Sequence, residues 1–324
     1  MRQIERLYLP GGKEHPIAMP QQPITPEENT IVFPDKKKYE VSWRTNFDAL
    51  TKVQQSVEKA EIVQEEGTYR IPLDNPDLGY AMMVAFSDAH ILSYTTDHDL
   101  VKKVVDTVIN TPNTCLGDCG DTFNNGIWGG LGYEDVFPPY MQAFTVEDMM
   151  REVGKKWAFT VLGNHTEWMF NAAGQKPEQI FARHLEGPVF AGMGVLHFQA
   201  GEQRYDIAAA HTYWGKSKKN IFNCCVNLRQ NEYPEADVFI IGHEHVLGWM
   251  TEFVNGETKV YVRPGTAKTK DRYARIHGIA RRGQPMGAAI IFGTKERSIE
   301  VKPIYEAEEL MTLRDKISRL PNEG

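Results

Sequence analysis

The chain is expected to adopt an α/β fold: a two-sheet α/β sandwich flanked by helices. Three observations predict it. From Tyr80 to Ile241, short apolar strands alternate with amphipathic helical segments. Two hairpins then follow, one turning at Asn255-Gly256 and one covering residues 288–304. Finally, five of the strands stop at Asp, Asn or His, three of them directly after a glycine.

The elements can be read in order. Residues 1–40 carry six prolines and little periodicity, which predicts an extended arm. Phe47, Leu50, Val53, Val57 and Ala60 then recur at helical spacing behind Asn46 as cap. Residues 69–80, YRIPLDNPDLGY, read as turn and loop. YAMMVAF, Tyr80–Phe86, is a buried strand, and residues 97–111 form a helix with Leu100, Val101, Val104 and Val108 on one face. NTCLGD ends in a short strand. A helix opens at Thr145 with acids in its first turn, and AFTVLGNH follows as a strand. VLHFQ and RYDIAAAH pair, NIFNCCVNLRQ is helical, and ADVFIIGH is a strand. The expected division is an N-terminal extension over 1–79, one domain over 80–305, and a C-terminal helix or tail over 306–324.

Composition narrows the class. Of 324 residues, 41% are hydrophobic and 24% charged, as in a globular protein. A net charge of −7 argues against a protein that coats DNA over its whole surface, though not against a local basic patch. Cys115, Cys119, Cys224 and Cys225 are too few for a disulfide scaffold. The first twenty residues lack an apolar core of signal-peptide length, and no window reaches the ~18 apolar residues of a membrane span. A cytoplasmic protein without a membrane partner is expected.

The strand ends carry the chemistry. They supply Asp88 and His90, then Asp118 and Asp121, then Asn164 and His165, then His211, then His243 and His245. Burying such groups unpartnered costs several kcal/mol each. A shared metal would satisfy them together. In DAH and HEH the two side chains lie two apart, so an extended segment points both to one face. Imidazole and carboxylate without thiolate suit Mn²⁺, Fe, Zn²⁺ or Ni²⁺.

Asp88-x-His90, Gly117-Asp118-x-x-Asp121, Gly163-Asn164-His165, His211 and Gly242-His243-x-His245 resemble, in spacing and chain order, the motifs of the calcineurin-like metallophosphoesterase superfamily. The resemblance covers residues 80–305. It implies a dinuclear metal site at the strand ends holding two divalent ions, Mn²⁺ foremost. Asp88, His90 and His245 would hold one ion; Asn164, His211 and His243 the other; Asp118 would bridge them. His165 would face the substrate as general acid, oriented by Asp121, while a hydroxide between the ions attacks phosphorus. Glu244 would point away.

Two segments are candidate rims. Lys268–Gly283 is rich in Lys and Arg and would grip a phosphate chain; Thr122–Tyr140 offers Trp128, Tyr133 and Tyr140 for stacking on a base. Both favour phosphodiester hydrolysis on nucleotides or nucleic acid. A phosphomonoesterase is the alternative, and a scaffold without chemistry a remote one. Residues 1–79 are expected to pack on the core or support a homo-oligomer.

Overall fold

The computed structural model describes residues 65–126, 134–173, 181, 183–217, 219–269 and 285–320, together with four short strands nearer the N-terminus. The chain divides into two units, residues 1–61 and 62–324. In the first, β1 (Arg6–Tyr8) pairs antiparallel with β2 (Glu14–Pro16), and β3 (Thr30–Val32) with β4 (Lys38–Glu40). Where an extended arm was expected, the chain forms two small hairpins. The expected helix over residues 47–60 lies outside the described residues.

The second unit opens with β5 (Glu66–Arg70), which runs parallel to β10 (Met193–Ala200) at a sheet edge. The loop expected over residues 69–80 thus begins as a strand. Tyr69 buries its ring against Phe198, which draws the segment into the core. The remaining elements are β6 (Tyr80–Phe86), α1 (His98–Asn110), β7 (Thr114–Asp118), α2 (Pro139–Val153), β8 (Trp157–Val161), α3 (Asn164–Ala173) and β9 (Val189–Phe190). Then come β11 (Gln203–Ala210), α4 (Asn223–Asn231), β12 (Val238–Ile241), β13 (Leu247–Val254), β14 (Glu257–Pro264), β15 (Ala288–Gly293), β16 (Ile299–Pro303) and α5 (Ile304–Ser318).

Two six-stranded mixed sheets result, ordered β13-β14-β12-β11-β10-β5 and β16-β15-β6-β7-β8-β9. Strands β6 to β9 are parallel neighbours, as are β11, β12 and β14. The period-2 alternation of β6 shows how the layers form. Ala81, Met83 and Ala85 face the other sheet among Leu196, Ile207, Val238 and Val260. Met82, Val84 and Phe86 face the helices among Val104, Val108, Val146 and Met311. On the outer face of the first sheet, Phe239 and Ile241 pack against Cys224, Cys225 and Leu228 of α4. The two-sheet sandwich flanked by helices is therefore the observed architecture.

Helix ends follow local chemistry. Asp97 caps α1, its carboxylate accepting from the Leu100 N–H at 3.0 Å. Helix α2 starts six residues before the expected Thr145, because Pro139 suits a first helical position, where no N–H is needed. Thr145 lies inside it and donates its hydroxyl to the Met141 carbonyl. No described helix is long and apolar enough to cross a membrane.

Ile240 is fully buried between the sheets on the central strand β12. Ile240→Ala should cost about 2–5 kcal/mol, read as a lower urea midpoint at unchanged slope.

Candidate metal centre

All five ligand-bearing segments emerge at the carboxyl ends of β6, β7, β8, β11 and β12, where an open α/β sheet gathers its ligands. Backbone bonds lock two of them together: the Asp88 N–H donates to the Gly120 carbonyl at 2.8 Å, and the His90 N–H to the Asp121 carbonyl at 3.0 Å. Asp88, His90, Asp121, His243 and His245 all have positive φ, between 45° and 70°. They are five of the nine non-glycine residues with positive φ in the described chain, so strain is concentrated here. Each such residue costs about 1–3 kcal/mol, although Asp and His tolerate the left-handed region better than most.

Three groups of donors converge. Asp88, His90 and His245 form the first, with His245 Nε2 3.3 Å from Asp88 Oδ1 and 3.3 Å from His90 Nε2. The second comprises Asp121, His211 and His243: His211 Nε2 lies 3.1 Å from Asp121 Oδ2, 3.1 Å from Asn164 Oδ1 and 3.2 Å from His243 Nδ1. The third joins His90, Asp121 and His165. Asp121 is common to the second and third groups, and His90 to the first and third.

Asp118 was the carboxylate expected to bridge the ions. Asp118 stands in none of the three groups. Its Oδ1 accepts from the Gly120 N–H at 3.0 Å, and its Oδ2 from the hydroxyls of Thr122 at 2.7 Å and Thr160 at 3.3 Å. It is the last residue of β7, held within the fold, and the chain must turn through Gly120 before Asp121 reaches the centre. Asp121 in turn does more than orient His165. Its Oδ1 accepts the His165 backbone N–H at 2.9 Å, while its Oδ2 lies among the ligands, 3.9 Å from His165 Nε2. The His165 tautomer is set elsewhere: its Nδ1–H donates to the Asn124 carbonyl in a short bond, and Asn125 Nδ2 donates to the His165 carbonyl at 3.0 Å.

The residues fit a cation. Asp88 Oδ1 and His90 Nδ1 are buried without a hydrogen-bond partner, an arrangement that costs free energy unless something positive completes it. Two imidazole Nε2 atoms 3.3 Å apart would oppose their lone pairs unless a proton or a metal lay between. The His211 Nδ1–H donates to the Cys119 carbonyl at 2.8 Å, which leaves Nε2 as the ligating atom. Glycines make the approach feasible: a Cβ on Gly163 would collide with the Asp121 carboxylate, and one on Gly242 with the Ser87 hydroxyl.

Electrostatics separates the two aspartates. Burial pushes Asp118 up to about 7, against the pull of its hydrogen bonds. Burial opposes ionisation of Asp121 too, but the neighbouring His211 and His165 overcome it and hold the carboxyl well below the usual range. Burial opposes protonation of His211, but the charge and hydrogen bond of Asp121 and the charge of Asp88 together raise it to about 9, while burial and the neighbouring His211 draw His243 down to about 4.

Several functional residues carried no motif. Asn124 and Asn125 fix His165; a pair of amides straight after a ligand loop was the available signal. Arg263 is another. It is buried, with Nη2 donating to the Gly242 carbonyl at 2.9 Å and Nη1 lying 2.6 Å from Cys224 Sγ. A hydrogen bond from Cys225, opposed by burial and seconded by Arg263, draws the Cys224 thiol down to about 6. The Cys224 sulfur thus lies against a buried guanidinium directly behind the His243 loop. Of the rims, Lys268 is buried and paired with Glu134 at 2.7 Å, while the rest of that segment beyond Thr269 lies outside the described residues. Thr122 to Asn125 are folded inward; Tyr140 is exposed, its ring edge against Phe144; Trp128 and Tyr133 lie outside the described residues.

No model of a known protein family and no curated protein matches the sequence. Solved structures do match. A conserved protein of Streptococcus pneumoniae TIGR4, a predicted phosphoesterase, is 14% identical over 70% of this chain and 91% of its own, with a TM-score of 0.35. A metallophosphoesterase from Sphaerobacter thermophilus is 12% identical over 75% and 95%, with a TM-score of 0.37. Vps29 from Entamoeba histolytica, complexed with Zn²⁺, is 13% identical over 68% and 97%, with a TM-score of 0.33. The residue assignments rest on the chain's own geometry.

Two outcomes are expected. Asp121→Asn should lose metal from both groups, whereas Asp118→Asn should keep metal and lose about 1–3 kcal/mol of stability, because an amide N–H then faces hydroxyl and amide donors. Metal analysis and urea unfolding of the two variants check this. Below pH 9, His211 of the metal-free protein is protonated, and that proton must leave before Nε2 can bind an ion. Affinity should therefore rise about tenfold per pH unit from roughly 7 to 9 and flatten above, read by competition with a chromophoric chelator.

Proposed function

We propose that the chain is a metal-dependent phosphoesterase that hydrolyses phosphodiester bonds of nucleotides or nucleic acid. The observation that supports this most is that the donor groups Asp88-His90-His245 and Asp121-His211-His243 are joined through a third, His90-Asp121-His165, at the strand ends. Asp88, His90, Asp121 and His245 would hold one divalent ion; Asp121, Asn164, His211 and His243 would hold the other. Mn²⁺ is the first choice, and Fe, Zn²⁺ and Ni²⁺ also suit the donors. Such a pair supplies charge to clamp a phosphate and acidity to activate water.

The chain's own residues do the rest. His165 is nearly buried and keeps Nδ1–H on the Asn124 carbonyl, so Nε2 is the atom left to hold and deliver a proton to a departing alkoxide. Its ring stands edge-on to His90 at 4.7 Å and tilted against Trp168 at 4.1 Å, which limits its rotation. Asn125 and Asp121 grip its backbone from either side, so the imidazole is placed before substrate arrives. Asp118 ties the ligand loop to β8 through Thr160 and takes no part in the chemistry.

With saturating Mn²⁺, the protein should cleave bis-p-nitrophenyl phosphate faster than p-nitrophenyl phosphate. His165→Ala should lower kcat by about 10²- to 10⁴-fold while metal content stays unchanged. A strong preference for the monoester would replace the diesterase reading with phosphomonoesterase. Loss of metal in His165→Ala would show that His165 is a ligand.

A further inference from the structure

Beside the second donor group lies a cleft of about 550 Å³ that no motif marks. Three segments distant in sequence build it: the β8–α3 junction, the turn between β9 and β10, and the loop after β11. Asn164 and His211 belong to both the donor group and the cleft wall, so a phosphate held at the centre would direct a substituent into the cleft. The inner wall is apolar, from Leu162, Ala191 and Met193.

The rim is a built platform. Trp214 is 61% exposed at the cleft edge. Yet its loop is pinned. Asn223 Nδ2 donates to the Gly215 carbonyl at 2.7 Å, Asn227 Nδ2 donates to the Trp214 carbonyl, and a Cβ on Gly215 would strike Asn227. Beside it, Tyr213 is tied through its hydroxyl to Glu232 at 2.8 Å, its ring centroid 6.0 Å from the indole. The indole is therefore held in solvent by α4.

The charges of the cleft select the occupant. Lys216 is paired with Glu244 at 3.0 Å, and Glu167, the other charged residue of the wall, is an exposed carboxylate. Among the described residues, the lining offers no unpaired Lys or Arg for a second phosphate, whereas a polynucleotide needs about one cation for each phosphate it lays down. A flat, uncharged ring meets an apolar wall and an aromatic platform.

Resting on the phosphoesterase reading, we propose that this cleft is the site for the nucleoside portion of a small nucleotide ester, with the base stacked on Trp214. The substrate class is thereby a mononucleotide-sized ester rather than a nucleic-acid strand.

The test is calorimetric titration of Mn²⁺-loaded protein with AMP and with ribose 5-phosphate, which differ only in the base. Wild type should bind AMP about tenfold or more tightly than ribose 5-phosphate, and Trp214→Ala should erase that margin while leaving ribose 5-phosphate binding unchanged. Trp214→Phe should retain most of it, which separates stacking from a folding defect. Equal binding of the two ligands by wild type, or equal weakening of both by Trp214→Ala, overturns the proposal. A ten-nucleotide single strand that binds more than about tenfold tighter than AMP also overturns it, in favour of a strand-binding surface. Separate turnover assays show whether any ester is hydrolysed. If none is, the phosphoesterase reading fails, and the titrations still decide whether the cleft takes a nucleoside.

Discussion

The Asp121 carboxylate is the constraint on which the site depends. One oxygen holds the first N–H of the Asn164-His165 turn, and the other faces His211 and His165. To put it there, the chain leaves β7 at Asp118, turns through Gly120, and places Asp121 itself at a φ of 52°. Gly163 must yield its Cβ for the carboxylate to fit. Folding into this arrangement without a cation brings like dipoles together and leaves buried acceptors unpaired. Two well-packed sheets hold the strand ends fixed, and their burial outweighs the strain stored at the ends.

The sheet sandwich was legible because its signals are local and repeated. Period-2 alternation in β6, the Asn255-Gly256 turn and the polar strand ends each point to one structure. The convergence of Asp88, His90, Asn164, His211, His243 and His245 was legible for the same reason. The choice between the two aspartates was not. Both follow a glycine within five residues, and only the third dimension shows that one is consumed by Thr122, Thr160 and the Gly120 N–H. Strand β5 was hidden by its shortness and by Pro72 and Pro76 close behind it. The cleft was hidden more deeply, since its walls come from three separate segments, within residues 162–167, 191–193 and 211–216, whose single members look ordinary.

The HEH loop shows how a ligand segment with two left-handed residues keeps one shape. Behind it, Arg263 grips the Gly242 carbonyl and itself lies against Cys224. In front, the His243 N–H donates to Asp88 Oδ2 at 2.8 Å. At its side, Glu244, the residue between the two histidines, reaches away from the donor groups to Lys216. The loop is thus fixed from three directions, by Arg263 and Lys216 outside the donor groups and by Asp88 within them.

That third anchor joins centre and cleft. Lys216 lines the cleft and is paired with Glu244, the residue between two candidate ligands. The loop bearing Trp214 is fastened to α4, which packs on β12, the strand that ends in the HEH loop. Recognition of the substituent and placement of the ligands thereby share one scaffold. On the proposed reading, rigid support of this kind lets contacts remote from phosphorus contribute to positioning at the reacting bond.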